Sequence, residues 1–339
     1  MTVITIKDVA ARAGVSAKTV SRVINGEPHV RAEVREAVMK VVKELDYRPN
    51  AFARGLSSSR SFLLGLFIEE VASGYAADIQ RGAVERCRAL GYHLVIETVE
   101  LGQQDWLKEL PAILNTLRLQ GVILAPPLCD WPELLDMLAA HEVPVVRIAP
   151  RETPERTPLV RMNDRAAARE LAERLIALGH RDIAFIRGNP THSAATERWL
   201  GFSDAIAAAG LRVRPEWIAD GDFTFRSGVE AAEKILAAAA RPTAIFSSND
   251  EMALGVLVSA MRHRIEVPQA LSVVGFDDTL IARMAWPQLT TIRQPNPEMA
   301  AAAVDLLVGP PNGRPSPATA AVELPYSLVI RDSLAPPAG

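Results

Sequence analysis

Two cysteines in 339 residues, Cys87 and Cys129, are too few and too isolated to organise a fold. They form no CxxC spacing and have no histidine cluster beside them, so neither a disulfide framework nor a zinc site is supported and both are read as reduced thiols. Long apolar runs are missing as well. The longest, such as Phe62 to Ile68 and Ile235 to Ala240, fall far short of the roughly 20 residues that cross a bilayer, so no membrane span is expected. The N-terminus places Lys7, Asp8 and Arg12 inside an amphipathic pattern and has no apolar signal core with a small-residue cleavage site, which points to the cytoplasm. No glycine-rich dinucleotide fingerprint follows any strand-like run, so a nicotinamide or flavin enzyme has no support. No cofactor, metal ligand or catalytic group is expected.

What is present is ordinary globular material, 49% hydrophobic and 23% charged, in a chain long enough for two or three domains. The net charge of -3 hides an asymmetry. Residues 1–60 carry 11 Lys and Arg against 6 Asp and Glu, and the remainder carries 26 against 34. A basic head on an acidic body suggests that the head meets a polyanion.

The head reads as three short helices. Thr5 and Asp8 form a capping box ahead of Ile6, Val9, Ala10 and Ala13, which recur at helical spacing, and Gly14 stops the first helix. Ser16 is placed to cap a second helix, with Thr19 in its first turn and Val20, Val23 and Ile24 as its apolar face, ending near Asn25 and Gly26. A third helix runs from Ala32 to Leu45, with the pre-proline Arg48 marking its exit. Small Ala10, flexible Gly14 and apolar Val20 sit where two helices joined by a short turn must cross closely. In such a helix-turn-helix the start and outer face of the second helix enter the major groove, which here presents Ala17, Lys18, Ser21 and Arg22. Lys18 and Arg22 can donate to guanine edges and Ala17 can touch a thymine methyl.

The run from Ile6 to Asn25 (IKDVAARAGVSAKTVSRVIN), followed by Tyr47-Arg-Pro-Asn50, closely resembles the head of the lactose/galactose repressor family of bacterial transcription regulators. The resemblance implies DNA contacts from Thr5, Ser16, Ala17, Lys18, Thr19, Ser21, Arg22 and Asn25. It also implies a hinge helix that carries Asn50, Ala53 and Leu56, forms on DNA and wedges its leucine into the minor groove. Elementary helix energetics agrees that this hinge is marginal. It is shorter than the ~12 to 15 residues an isolated helix needs, and Gly55 costs about 1 kcal/mol relative to alanine. An apolar wedge kinks the duplex, and the unstacking cost of a few kcal/mol is offset by added contacts.

Beyond Phe62, apolar runs alternate with helical patterns: Phe62 to Ile68 then Ala77 to Leu90, and Tyr92 to Val99 then Asp105 to Leu119. Further short strands are expected at 121–125, 143–149, 182–187, 244–247 and 272–276, each bounded by Gly, Pro or polar residues. This is the pattern of parallel sheets with crossover helices, which bind ligands at the strands' C-terminal ends. The stretches 178–186, 198–202, 249–255, 274–278 and 289–294 resemble the family's effector-binding core, akin to periplasmic sugar-binding proteins. The expected fold is therefore an all-α helix-turn-helix head plus an α/β body of two parallel-sheet lobes of the periplasmic-binding-protein-like type I architecture. The family implies a head at 1–48, a hinge at 49–60, a first lobe at 61–161 plus 292–323, a second lobe at 162–291 plus 324–332, and a disordered tail at 333–339.

By motif position, Arg198, Asn249, Asp277 and Gln294 match residues that line the family's effector cleft, and Phe223 matches an aromatic that packs on the ligand. Glu69, with Tyr75 as its neighbour, stands where a first-lobe polar contact is expected. Fork-shaped donors, carboxylate acceptors and a flat ring suit a polyol, so a mono- or oligosaccharide is the expected effector, with a purine or other corepressor as the alternative. Asp278 is read as a turn residue and His180 as structural. Two remote alternatives are a sugar-acting enzyme using Glu69 and Asp277 as acid and base, and a transport receptor; neither explains the basic head. The expected partners are pseudo-palindromic double-stranded operator DNA and a second copy of the chain, since mirrored half-sites call for a twofold homodimer. No heptads follow Arg331, so a dimer is the expected endpoint. Replacing Leu56 with alanine should weaken operator binding by at least the ~1 kcal/mol scale of a lost apolar contact while the head stays folded. Unchanged affinity in a fluorescence anisotropy titration would remove the wedge.

Overall fold

The first helix of the head, α1 (Ile6–Ala13), begins where the Thr5 amide and hydroxyl both donate to Asp8 at 2.7 Å, the box expected from the sequence. It ends at Gly14, whose φ of 66° puts it in the left-handed region that glycine adopts without a Cβ penalty. Helix α2 (Ala17–Ile24) is capped by Ser16, which accepts from the Thr19 amide at 3.1 Å. Helix α3 (Ala32–Glu44) closes the head. Val9, Ala10, Val20, Val23, Val38 and Val41 form a small shared core, and Arg35 donates to the Val23 carbonyl near the end of α2. The computed structural model describes residues 4–24, 30–45, 47, 61–69, 73–151, 157–309 and 320–338, divided between two compact units, 1–62 and 63–339. Asn25, Asn50, Ala53 and Leu56 lie outside the described residues.

The body builds two parallel sheets because its strands are short, nearly continuous apolar runs that need cover on both faces. The first sheet contains β1 (Leu63–Ile68), β2 (His93–Thr98), β3 (Val122–Leu124), β4 (Val145–Ile148), β5 (Leu159–Arg161) and, from much later in the chain, β11 (Ala321–Glu323). Their order is β11-β5-β4-β3-β1-β2, all pairs parallel. Helices α4 (Gly74–Leu90), α5 (Gln104–Leu117) and α6 (Pro132–Ala140) make the crossovers. Helix α4 starts three residues earlier than its apolar periodicity suggests because Ser73 caps it, accepting from the Ala76 amide. The second sheet, β7-β6-β8-β9, is also parallel. It comprises β6 (Ile183–Arg187), β7 (Ile218–Asp220), β8 (Ala244–Ser247) and β9 (Ser272–Val274), with α7 (Asp164–Ala177), α8 (Ser193–Ala208), α9 (Phe225–Leu236), α10 (Asp250–Arg262) and the short α11 (Leu280–Met284). Each sheet has its own buried cluster, one around Phe67, Leu110 and Leu124 and one around Ile186, Ile245 and Val273.

The chain leaves the first sheet after Arg161 and returns through β10 (Thr291–Arg293) into α12 (Asn296–Val308), which packs on α4 and β4. After β11 it crosses again to β12 (Ser327–Val329), which pairs antiparallel with β10 in a two-stranded ribbon. β5, β7, β10, β11 and β12 were not among the strands expected from the sequence. β7, β10, β11 and β12 have only three residues each and partly exposed positions, so they carry too little apolar pattern to read. Among the described residues no helix is long and apolar enough to cross a membrane.

The tail after Asp332 departs from expectation. Ser333 is fully buried. Its hydroxyl accepts from the Thr290 amide and donates to the Val273 carbonyl, while Ser272 exchanges hydrogen bonds with Ala335. His180, buried as a structural residue, sits 2.9 Å from both the Thr243 hydroxyl and the Ala335 carbonyl. The residues up to 338 are thus an ordered strap on the second lobe, because buried strand-end polar groups find their partners there. The small and proline-rich composition of this stretch concealed it, since main-chain and single-hydroxyl bonds leave no periodic trace. Deleting residues 333–339 should therefore cost about 2–4 kcal/mol, from several lost hydrogen bonds near ~1 kcal/mol each. Urea unfolding of the truncated chain at its original midpoint would show the tail to be loose after all.

Candidate functional sites

In the head, Lys18 and Arg22 are exposed and four residues apart, so they share one face of α2 opposite buried Val20 and Val23. Ala17, Thr19 and Ser21 are half-buried along the same helix, and Ser16 and Thr5 stand at the starts of α2 and α1. Their hydroxyls are engaged locally, Thr5 with Asp8 and Ser16 with Thr19 at 2.9 Å. The Asp8 carboxyl is held below its usual range by the Thr5 hydrogen bonds. The arrangement offers two cations and a helix N-terminus to an anionic ligand on one exposed surface.

The body holds a second site between its lobes. Arg198, on the first half of α8, lies 4% exposed. Its Nε donates to Asp164 at 2.9 Å, and its Nη1 donates to the Ser248 carbonyl at 2.6 Å and reaches Asp277 at 3.5 Å. The guanidinium lies over the Phe276 ring, 3.8 Å from its centroid, where the ring quadrupole favours a cation. Gln294 Nε2 donates to the same Asp277 oxygen. Burial, opposed by Arg198 and Gln294, pushes the Asp277 carboxyl up to about 7. The neighbouring Asp250 is also raised, by burial and by Asp277, and it accepts from the Thr291 hydroxyl at 2.7 Å and the Thr279 amide at 2.9 Å. Asp278 is structural, taking Arg293 and Arg331 on its two oxygens.

Phe223 flanks this cluster. Its φ is 72°, a conformation that costs a non-glycine residue of order ~1–3 kcal/mol and tends to persist where surroundings enforce it. Enforcement comes from Asn249, whose Nδ2 donates to the Phe223 carbonyl at 2.8 Å, and from Gly188, where any Cβ would lie 2.1 Å from the ring. Asn249 Oδ1 caps α10 by accepting from the Met252 amide. Both polar atoms of Asn249 are therefore engaged inside the second lobe. Asn249 thereby supports the backbone of Phe223 as well as the start of α10.

From the first lobe come Tyr75 and Glu69. The Tyr75 hydroxyl is buried and makes no hydrogen bond. Burial raises its pKa, and Cys129, Asp164, Asp277 and Arg198 also act on it, which locates it facing the cluster. Glu69 accepts from the Leu101 amide at 3.0 Å and stands 4.0 Å from His192 Nε2 of the second lobe. Of the expected residues, Tyr75, Arg198, Phe223, Asp277 and Gln294 gather in one place, and Glu69 joins them at the rim. Asp164 and His192 belong to the same site and were not foreseen. Asp164 reads as a first-turn helix carboxylate, and the role of His192 exists only through tertiary contacts. Its ring meets Phe223 edge-on at 5.2 Å, and burial together with the nearby Arg198 lowers its pKa to about 4.

The rims also touch directly. The Gly74 amide donates to Glu251 at 3.2 Å, Ser193 Oγ to the Ala149 carbonyl at 2.7 Å, and Arg151 Nη2 to the Pro190 carbonyl at 2.9 Å. An adjoining groove of about 840 Å³ shares Asp277 and Gln294 with this site, and its Arg81, Arg86 and Arg293 are tied to Asp78, Asp305 and Asp278.

Residues 5–50 match the family described as bacterial regulatory proteins of the lacI type, and residues 172–334 match the periplasmic binding protein-like domain. Catabolite control protein A of Priestia megaterium is 36% identical over 335 residues, covering 97% of this chain and 99% of that protein. The HTH-type transcriptional repressor PurR of Erwinia tasmaniensis is 36% identical over 311 residues, covering 90% and 89%. Among solved structures, the transcriptional regulator CelR in complex with cellobiose superposes with a TM-score of 0.72 at 32% identity, covering 97% and 99%. The Lac repressor bound to ONPG gives 0.77 at 31% identity, covering 98% and 100%.

The raised carboxyl of Asp277 has a consequence for stability. A folded-state pKa above the unfolded value stabilises the protein at low pH, and that contribution is lost as pH rises from about 4 through about 7. Asp277→Asn should therefore flatten the pH dependence of thermal unfolding across that window, and parallel Tm profiles for the two proteins would contradict the shift.

Proposed function

The chain belongs to the lacI family of bacterial regulatory proteins, and from that premise we propose a homodimeric operator-binding repressor whose grip on DNA is set by a sugar in the interlobe cleft. The observation that carries the effector reading is the cluster of Arg198, Asp164, Asp277 and Gln294 facing the unpartnered Tyr75 hydroxyl and the Phe223 ring. Such a site combines acceptors and fixed donors for hydroxyl groups with an apolar ring for a sugar face. The names of several relatives point the same way, since one structural neighbour is a cellobiose complex and one relative is a ribose operon repressor. A regulatory role, not an enzymatic one, follows the relatives and suits a cluster whose carboxylates are tied up in hydrogen bonds. Cytoplasmic location follows from the DNA target.

Ala17, Lys18, Ser21 and Arg22 are assigned to base edges, with Thr5, Ser16 and Thr19 assigned to phosphates. Asn25 and the hinge residues Asn50, Ala53 and Leu56 complete the grip. A second copy would cover Met261, Leu280, Met284 and Trp286, four large apolar side chains between 62% and 89% exposed on α10, on α11 and two residues beyond it. Surface apolar groups of this size are commonly covered by a partner. Effector binding changes how the first lobes meet across the dimer, and with that the spacing of the two hinges, which shifts the balance between gripping and released states.

Operator anisotropy and thermal shift with a panel of mono- and disaccharides, including cellobiose and ribose, and with purine bases, tests the reading. A neutral sugar should raise Tm and change operator affinity by about tenfold or more, a coupling of ~1.4 kcal/mol. Lys18→Ala should weaken operator binding and relax base preference at the position it reads. Response to purines alone would replace the sugar, and full operator affinity in Lys18→Ala would move the DNA surface elsewhere.

A further inference from the structure

We propose that the unliganded protein stores one proton on the buried carboxylate pair Asp250 and Asp277, and that a hydroxyl-rich ligand in the cleft expels it, so that the response to the effector depends on pH. The release, though not the stored proton, rests on the cleft being the effector site. Three buried carboxylates, Asp164, Asp250 and Asp277, lie within electrostatic reach of one another, with the buried guanidinium of Arg198 among them. Were all three ionised, one cation would face three negative charges out of water, and a carboxyl left uncompensated in such a place takes up a proton instead.

The hydrogen bonds show which group holds it. Asp164 takes a short, charge-assisted bond from Arg198 Nε at 2.9 Å, and Asp250 accepts from the Thr279 amide at 2.9 Å and the Thr291 hydroxyl at 2.7 Å. Asp277 is served least well. Among the described residues its side-chain partners both address Oδ1, Gln294 closely and Arg198 only from 3.5 Å, which leaves Oδ2 for the proton. Burial, opposed by Arg198 and Gln294 and aided by Glu251 and Asp164, pushes this carboxyl up to about 7, and Asp277 raises Asp250 in turn, so the two titrate as a pair. Other guanidinium groups nearby are engaged or solvated: Arg293 and Arg331 hold Asp278, Arg151 at the rim donates to the Pro190 carbonyl, and Arg283 is exposed. Glu69, facing His192 at the rim, adds negative charge. His192, lowered to about 4, and Tyr75 and Cys129, both raised by burial, change no charge near neutrality. The Tyr75 hydroxyl is buried, faces the cluster and makes no hydrogen bond, which marks this as a place for a polar ligand. A ligand hydroxyl donating to Asp277 Oδ2 favours the carboxylate, and the displaced proton passes to solvent.

The stored proton is tested without ligand, by infrared spectra of the full chain across a pH range that brackets about 7. The carbonyl stretch of a protonated carboxyl should fade as pH rises through that value and should be missing from Asp277→Asn. Asp250→Asn, which removes the neighbouring charge, should move the fading to lower pH, and it serves if Asp277→Asn does not fold, as judged by its Tm. The release is tested by titration calorimetry with cellobiose and with ribose, in phosphate and in Tris. The heat should differ between the two buffers by the ionisation of the expelled proton. Affinity should rise by up to about tenfold per pH unit below about 7 and level off above it, and Asp277→Asn should lose both effects. Should neither sugar bind the wild type, the sugar reading fails on its own, and the infrared band alone upholds or overturns the stored proton. A band absent from the wild type, a band unchanged in the folded variants, or a bound sugar whose affinity stays flat or falls as pH rises towards neutrality overturns the proposal.

Discussion

A guanidinium buried between carboxylates constrains the second lobe and through it the cleft. Removing such a charge from water costs several kcal/mol, which only close, well-aligned partners offset. Arg198 meets this demand by drawing Asp164 from the start of α7, Asp277 from the loop after β9 and the Ser248 carbonyl from the end of β8. The ends of three separate elements are thereby fixed around one cation. Gln294, at a crossing between the lobes, is drawn in by Asp277. Phe223, Asp277 and Asp278 near this cluster have φ of 72°, 120° and 57°, conformations that cost a non-glycine residue of order ~1–3 kcal/mol and persist where the surroundings enforce them.

The head and the major strands were legible because they depend on local rules. Capping by Thr5 and Ser16, the stop at Gly14 and the apolar runs of β1, β6 and β8 follow from periodicity and side-chain chemistry within a few residues. The cleft was legible only in part. Arg198, Asp277, Gln294, Phe223 and Tyr75 came through the family resemblance, whereas Asp164 acquires its role from Arg198, 34 residues away, and His192 from Phe223 and from Glu69 on the other lobe. Asn249 also came through the resemblance, and its local work, accepting from the Met252 amide and donating to the Phe223 carbonyl, joins the start of α10 to the Phe223 turn. The strap at 333–338 escaped for the same reason as β10 and β12, since it is held by backbone and hydroxyl bonds that no hydrophobic pattern records.

Regulation by a cleft requires that the two lobes move as bodies. The contacts of Gly74 with Glu251, Ser193 with Ala149 and Arg151 with Pro190 are few, polar and at the rims. Contacts of that kind give closure definite geometry without the large apolar area that would make it permanent. A ligand with modest differential affinity for the closed form is then enough to shift the population.

The ribbon of β10 and β12 is attached to one side only. Asp278 holds Arg293 and Arg331 together, and Ser333 and Thr290 tie the strand ends to β9, whereas α12, only two residues beyond β10, packs on the first lobe. Bending between the lobes is consequently confined to a few residues, 162–163, 294–295 and 324–326. Two of these three joints contain a proline, Pro295 and Pro325, whose ring fixes φ and leaves fewer torsions to turn. The lobes are coupled less like beads on a string than like a door on two stiff pins, with the swing left to a handful of ψ angles and to the Met162–Asn163 joint.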